Sequence, residues 1–581
     1  MRIRVVKFCY FLIIFMVILR LGYWQILRSD DLVARAEDQR LTSSSVPAPR
    51  GDIKFIDSSI LAATQPTFLV YAQPKIISDK SYTSKVLGDL FWTLDTHPDD
   101  EDELTKDDEI KTIQLDLYNK ISQNLFWVNL GRNVTYDDMQ RIKKLNLEGI
   151  GFQEDYTRYY PEGSSSANLL GFVGSDVYGE PTGYFGLEGY YNGELRGING
   201  RYTQEKDAQG LPILIGQFVA QDPQPGKTLI LNIDPTIQHI VEQEIKSGVD
   251  KYGAKQGGAI VMDPKTGAIV AMASYPNYDP ADPALYPSEY YKNALIADSY
   301  EPGSTFKVLV MAAALNENLV KPDTKCDACD GPVKIEGFDI RTWDNNYFPN
   351  TDMTDVIVHS DNTGMVFVSS KLGIDKMYDY IQKFGFGNLT GIDLQDEASP
   401  DIRTKSDWKP IDLATSSFGQ GISATALQVV RAVGAIANGG KLMEPHVVSK
   451  IIQNGKTVTI APRVVSQPVS ETAAKQVTDM MVQAVDRGEA KWYKQNGGVQ
   501  NFLIAGKTGT AQIPVAGHYD ATKTIASFVG FAPANDPKFV MIVRYDQPTT
   551  SIYGAETAAP SFFAIAKDLF TYYGITPTEH N

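Results

Sequence analysis

Apolar positions cluster first at the N-terminal end, where Phe8–Leu19 is an unbroken run of twelve. Twelve helical residues reach about 18 Å, short of a ~30 Å hydrocarbon core. Apolar character resumes after Arg20 at Leu21, Tyr23, Trp24 and Leu27. With Arg20 reaching toward the interface, Val5–Leu27 is predicted to span a membrane, with Tyr23 and Trp24 at its boundary. Arg2, Arg4 and Lys7 precede the run, whereas residues 28–40 mix three basic with four acidic groups. That bias predicts a cytoplasmic N-terminus with the rest of the chain outside. Ala34-Arg35-Ala36 has the look of a signal-peptide cleavage site, but it lies beyond Arg20, Trp24 and two aspartates, which favours a retained anchor.

Residues 29–250 read as mixed and loop-rich. Arg50-Gly51-Asp52-Ile53 follows Pro47 and Pro49, so a turn is predicted to lead into a strand. The acidic run DTHPDDEDELTKDDE, Asp95 to Glu109, is predicted to be a solvated loop. Met139, Ile142 and Leu145 recur three apart and predict a helix over Tyr136–Leu147. RYYPEGSSSANLLGFVG from Arg158 and GYFGLEGYYNGELRGING from Gly183 are dense in Gly, Ser and Asn and read as structured turns. Leu229–Ile233 predicts a short strand. Asp234 then caps a helix that opens at Pro235 and runs through Val249. In GGAIVMDPKTGAIVAMASYPN, from Gly257, two apolar runs flank the turn Asp263–Gly267, a hairpin signal. Thr524–Pro533 and Lys538–Tyr545 read as late strands and Pro560–Tyr573 as a closing helix.

Composition narrows the classes. The chain has 581 residues, 43% of them apolar and 21% charged, enough for several globular cores. Its net charge of −16 argues against a nucleic-acid partner. Cys9 lies in the apolar run, and Cys326-Asp327-Ala328-Cys329 sits in a polar stretch. A structural zinc takes four ligands, and no second Cys pair or close His pair accompanies these two, so no metal is expected. A disulfide and two free thiols both remain open.

One apolar stretch breaks the pattern. EPGSTFKVLVMAAAL, from Glu301, looks like the start of a buried helix yet carries Ser304 and Lys307 one turn apart. A serine hydroxyl becomes a nucleophile when a base removes its proton. Lysine serves as that base if burial or a second cation lowers its pKa. Ser-x-x-Lys recurs at Ser406–Lys409. Ser-x-Asn occurs at Ser122, Ser166 and Ser360, and Lys-Thr-Gly at Lys265 and Lys507. Serine acyl-transfer enzymes of the penicillin-binding and β-lactamase type carry these elements in the order Ser-x-x-Lys, Ser-x-Asn, Lys-Thr-Gly. Only Ser304, Ser360 and Lys507 satisfy it, with gaps of 56 residues (304 to 360) and 147 residues (360 to 507).

Each element has an expected task. Ser304 is the nucleophile, Lys307 its base, and Ser360 the relay of a proton to the leaving amine. Asn362 binds substrate amide, with Asp361 between them as a spacer. Lys507 binds a carboxylate and depresses the Lys307 pKa. Thr508 and Thr510 offer hydroxyls, and Gly509 leaves room for substrate. If Lys507–Thr510 lies on an edge strand, its backbone can pair with an extended peptide, and the N–H groups of Ser304 and Thr510 can hold an oxyanion.

Beyond these triplets the chain resembles the class B penicillin-binding proteins, membrane-anchored D,D-transpeptidases that cross-link peptidoglycan, and most of all the division-specific septal type. The resemblance covers nearly the whole chain. It rests on the anchor, Arg50-Gly51-Asp52-Ile53, Arg158-Tyr159-Tyr160-Pro161, Gly186-Leu187-Glu188, the three catalytic elements, FGFGNLTGID from Phe384, FGQGISATALQ from Phe418 and SFVGFAP from Ser527. It implies an α+β fold. Residues 1–28 would be tail and anchor, 29–250 an elongated pedestal, and 251–581 a transpeptidase domain with an antiparallel, β-lactamase-like sheet covered by helices. It implies stem peptides ending in D-Ala-D-Ala as substrate, β-lactams as covalent inhibitors, a separate glycosyltransferase and divisome partners, and no cofactor. One departure is Gln395-Asp396-Glu397, where the family usually has Gly before Glu. The elongation type shares the catalytic residues. The septal assignment rests on Ser360–Gly373 and Gln428–Val448.

Two rivals differ in class. A β-lactamase or β-lactam sensor would share the acylation residues, but no glutamate in a recognisable deacylation motif lies between Ser360 and Lys507. A scaffold that had lost the chemistry would not need the full set of catalytic residues.

Overall fold

The computed structural model describes residues 2–94, 103–205, 218–515 and 518–577. Its contacts form two compact units. One comprises Met1–Arg50, Thr64–Thr157 and Arg196–Gly226, the other Gly51–Ala63, Arg158–Leu195 and Lys227–Asn581. The contacts therefore divide the chain differently from the expected boundaries at 28 and 250. Arg158–Leu195 joins the larger unit because its polar groups are satisfied there. Asn168 Nδ2 donates to Tyr290 O at 2.6 Å, Phe185 N to Gln395 Oε1 at 2.8 Å, and the Tyr191 hydroxyl to Asp393 at 2.9 Å. Two of the resembling motifs meet in a buried ion pair, Arg158 Nε to Glu188 Oε1 at 2.7 Å. Asp396, where the family favours glycine, has φ +69°, a left-handed conformation that aspartate tolerates.

In the smaller unit, Arg2–Leu27 is a helix long and apolar enough to cross a membrane, and none of its most apolar stretch is buried. Helices Lys80–Leu94 and Glu103–Ile121 pack together around Leu87, Leu117 and Ile121. Residues 95–102 of the acidic run lie outside the described residues. Glu103–Glu109, expected as loop, opens the second of these helices, whose following turns carry an apolar stripe, Ile110, Ile113 and Leu117, that the charge count obscured. The expected helix after Thr135 runs Tyr136–Lys144. Met139 and Ile142 are buried, and Leu145, just past its end, is exposed.

The larger unit is built on five antiparallel strands in the order Ile269–Tyr275, Gln256–Met262, Phe539–Asp546, His518–Ala532, Ala505–Val515. The expected hairpin pairs Gly257 with Tyr275, and Gly267 closes its turn at φ +82°. Every residue of Phe539–Asp546 is buried because alternate side chains enter two different cores. Met541, Val543 and Tyr545 pack toward helices Pro235–Tyr252 and Ala558–Tyr572. Val540 and Ile542 join the core of helices Lys307–Asn316, Ala426–Ala437 and Glu471–Arg487. Asp234 caps its helix as expected, accepting from Thr236 N and Ile237 N. The segments read as structured turns contain short helices at Ala167–Leu170 and Gly186–Tyr190 and a small hairpin, Phe172–Ser175 with Pro181–Tyr184.

Candidate active site

Ser304 lies in a tight helical turn, Gly303–Phe306, that runs directly into helix Lys307–Asn316. Side chains three apart eclipse in such a turn, which places Ser304 and Lys307 on one face. The turn is pinned from outside. Gly303 (φ +57°) donates its N–H to Gly419 O at 3.1 Å, and a Cβ at Gly419 would sit 2.1 Å from Gly303 O. Glu301 Oε1 accepts from Gly421 N at 2.9 Å. The segment beginning Phe418 thus holds the Ser304 turn in shape.

Lys307 is fully buried and donates to Asn362 Oδ1 at 2.7 Å, to Ser360 Oγ at 3.3 Å and to the Ser360 carbonyl. Burial, followed by the charge on Lys507, lowers its pKa to about 7, against an opposing pull from Asp361 and Glu489. The expected effect of Lys507 is present, but desolvation is the larger cause. Among the described residues the Ser304 hydroxyl makes no hydrogen bond.

Ser360 occupies a left-handed turn (φ +56°) between helices Met353–Val358 and Asn362–Lys383. Asp361 does more than space its neighbours. It is buried and caps the second helix, accepting from Thr363 N at 2.7 Å and Gly364 N at 3.1 Å. An Asp at this point satisfies helix-start N–H groups, and it fixes the turn that presents Ser360 and Asn362. Asn362 Nδ2 donates to Arg341 O at 2.9 Å.

Lys507–Thr510 lies on Ala505–Val515, which is an edge strand, as the peptide-pairing expectation requires. Lys507 is buried; its amine donates to Thr508 Oγ1 at 2.9 Å, and burial lowers its pKa. Gly509 has a packing role besides the expected one. A Cβ there would meet Ser527 Oγ at 2.4 Å and Thr305 Cγ2 at 2.8 Å, so glycine is required for the strand to pack beneath the Ser304 turn. Thr510 Oγ1 accepts from Gly554 N at 3.0 Å.

Ser304, Ser360, Asn362, Thr508 and Thr510 line one cleft of about 730 Å³. Lys307 and Lys507 lie behind that wall, bonded to its residues. Sequence reasoning missed Arg341, Trp343 and Tyr553, which also line the cleft, the last two as an edge-to-face pair at 5.7 Å. It also missed Glu489, a cleft glutamate between Ser360 and Lys507 in sequence, which accepts the Thr508 hydroxyl at 2.8 Å. No sequence motif marks it. Cys326 and Cys329 form a disulfide.

The decoys stand elsewhere. Ser406 belongs to an exposed turn, Lys405–Asp407, and Asn168 holds backbone carbonyls. Lys265 is half exposed and pairs with Asp536 at 2.6 Å. Lys265→Ala should therefore cost at most about 1 kcal/mol of stability and leave activity near wild type. Lys507→Ala should sharply reduce turnover in a cross-linking assay, and the reverse ranking would reject the choice between the two Lys-Thr-Gly runs.

Comparison with known proteins agrees with this arrangement. Residues 257–570 match the family model for the penicillin binding protein transpeptidase domain, and residues 45–231 that for the penicillin-binding protein dimerisation domain. The chain is 33% identical to "Stage V sporulation protein D" of Bacillus subtilis (strain 168), over 98% of this chain and 85% of the relative. It is 30% identical to "Peptidoglycan D,D-transpeptidase FtsI" of Escherichia coli (strain K12), over 96% of this chain and 89% of that one. Penicillin Binding Protein 2X of Streptococcus thermophilus shares the fold, with a TM-score of 0.73 at 24% identity, over 92% of this chain and 80% of that one. With both family models in register, three catalytic elements in order and relatives matched nearly end to end, the chain belongs to the class B penicillin-binding proteins.

Proposed function

We propose that the protein is a peptidoglycan D,D-transpeptidase of septal wall synthesis, acting through an acyl-enzyme on Ser304. The observation that carries this reading is the single cleft lined by Ser304, Ser360, Asn362, Thr508 and Thr510, with Lys307 buried behind it and bonded to Ser360 and Asn362. In the mechanism, neutral Lys307 takes the Ser304 proton, and Ser304 Oγ attacks the carbonyl of the penultimate D-Ala. The N–H groups of Ser304 and Thr510 hold the developing oxyanion. Lys507 and Thr508 take the terminal carboxylate, and Asn362 a substrate amide. The tetrahedral adduct collapses as the proton on Lys307 passes through Ser360 to the departing amine. The Ser360 hydroxyl suits this relay because it can reverse its bond with Lys307, accepting from the ammonium or donating to the neutral amine. An amine from a second stem peptide then attacks the ester, forms the cross-link and regenerates Ser304.

In this reading, residues 251–581 carry the chemistry, 29–250 form the pedestal, and 1–28 hold the chain in the membrane with its N-terminus inside. A separate glycosyltransferase supplies the glycan strands, and divisome proteins recruit the chain. The septal choice draws on Ser360–Gly373 and Gln428–Val448, and the name of the Bacillus subtilis relative adds sporulation as a second setting. Two measurements on cells check the placement. A fluorescent fusion should gather at division septa, and protease added outside wall-stripped cells should remove the chain beyond Leu27. A uniform side-wall signal would move the assignment to the elongation type. Full protection in sealed cells would reverse the topology.

A further inference from the structure

Gly488–Ala490 links helix Glu471–Arg487 to helix Lys491–Asn496. The link is held tightly. A Cβ at Gly488 would lie 2.4 Å from Ala484 O and 2.7 Å from Val358 O, and Arg487 Nη2 bonds Asp355 at 2.6 Å. Glu489 is thereby fixed, half-buried, in the cleft wall. Its Oε2 accepts the Thr508 hydroxyl at 2.8 Å, and that hydroxyl in turn accepts the Lys507 ammonium at 2.9 Å. The chain's own carboxylate thus engages the groups assigned above to the substrate's carboxylate. A threonine hydroxyl has one hydrogen, so it donates to Glu489 or to a ligand, not to both. Two carboxylates at one hydroxyl also repel.

We infer that Glu489 is a specificity-determining residue, an internal carboxylate that competes with a ligand's carboxylate for Thr508 and Lys507. The inference rests on the reading of Lys507 and Thr508 as the carboxylate site. A carboxylate ligand must displace the Thr508–Glu489 bond and enter against the Glu489 charge, whereas a neutral ligand meets neither barrier. The negative charge of Glu489 also opposes the lowering of the pKa of both lysines, so its removal alters the base as well. Through Lys307 that second effect acts on every acylating ligand alike and cancels in a ratio, whereas through Lys507 it weakens the hold on a carboxylate and works against the rise.

The test compares acylation rate constants for benzylpenicillin and its neutral methyl ester on the detergent-solubilised full chain. In Glu489→Gln the acid-to-ester ratio should rise on the order of tenfold, the size of a modest like-charge penalty removed. Glu489→Ala should move it the same way. An unchanged ratio, or a fall, overturns the inference. A parallel loss with both ligands also overturns it, because it marks Glu489 as a mere support for Thr508. Lys507→Ala separates the premises. The wild-type preference for the acid should vanish there, and its persistence would bring down the carboxylate-site reading and the inference with it. Loss of the acid preference in Lys507→Ala together with an unmoved Glu489→Gln ratio would bring down the inference alone.

Discussion

Labelled penicillin should mark this protein covalently, and Ser304→Ala should abolish the mark. A β-lactam offers a strained amide beside a carboxylate, as the terminal D-Ala-D-Ala does. Ser304 is the cleft serine within the pinned turn Gly303–Phe306, beside Ser360 in the same cleft, while Lys307 lies buried behind it. Attack by Ser304 Oγ opens the ring, but the leaving amine stays tethered to the acyl group and obstructs the second attack, so the ester persists. Peptide mapping should place the adduct on Ser304. Loss of the nucleophile should reduce acylation by on the order of 10³-fold or more, because no other group in the site replaces it. Ser406→Ala should label normally, since Ser406 is in an exposed turn outside the cleft wall. Labelling that survives Ser304→Ala, or an adduct on Ser406, would falsify the acyl-enzyme reading. Rapid release of hydrolysed drug from the wild type would instead indicate a hydrolase.

The second large effect concerns Lys307. With its pKa brought to about 7 by burial and then by Lys507, the amine is largely neutral above pH 7 and protonated below it. The neutral form is the base. Acylation should therefore rise with pH through about 7 and level off above it, a single ascending limb. Lys307→Arg keeps the positive charge but provides no usable base, since guanidinium stays protonated. Acylation should fall by roughly 10²–10⁴-fold, the usual contribution of a positioned base. The arms of the test constrain one another. Lys507→Ala removes the second cation, so the limb should move to higher pH even as the rate falls. A pH profile flat through 6 to 8, or near-normal acylation by a folded Lys307→Arg protein, would reject Lys307 as the base.

Much of the larger unit was legible because its signals are local. Asp263–Gly267 forms a hairpin turn by its own side-chain and backbone bonds, with Asp263 accepting from Lys265 N and Gly267 N. Asp234 followed by Pro235 starts a helix whatever lies beyond it. The acidic run misled because charge dominates its composition, whereas a helix needs only one apolar stripe. Asp361 was read as a spacer because a cap is recognised by the N–H groups it reaches, and these became identifiable only with the turn at Ser360. Gly509 was read for the room it leaves to substrate, and its packing neighbours were not legible. Its missing side chain makes room for Thr305 and Ser527, and Ser527 comes from an adjacent strand.

The sequence alone determined which residues form the candidate set and their order. Ser304 and Lys307 are three apart on one helical turn, so their shared face follows from backbone geometry. The order Ser-x-x-Lys, Ser-x-Asn, Lys-Thr-Gly eliminated Ser406 and Lys265 without coordinates. Tertiary structure decided what surrounds that set. Glu489, Arg341, Trp343 and Tyr553 reach the site from segments with no periodic or motif signal, because contact across the cleft depends on how helices and strands pack rather than on spacing along the chain. The grouping of Gly51–Ala63 and Arg158–Leu195 with the larger unit has the same origin. Their buried polar groups find partners distant in sequence, and such pairings form only when the whole unit has folded.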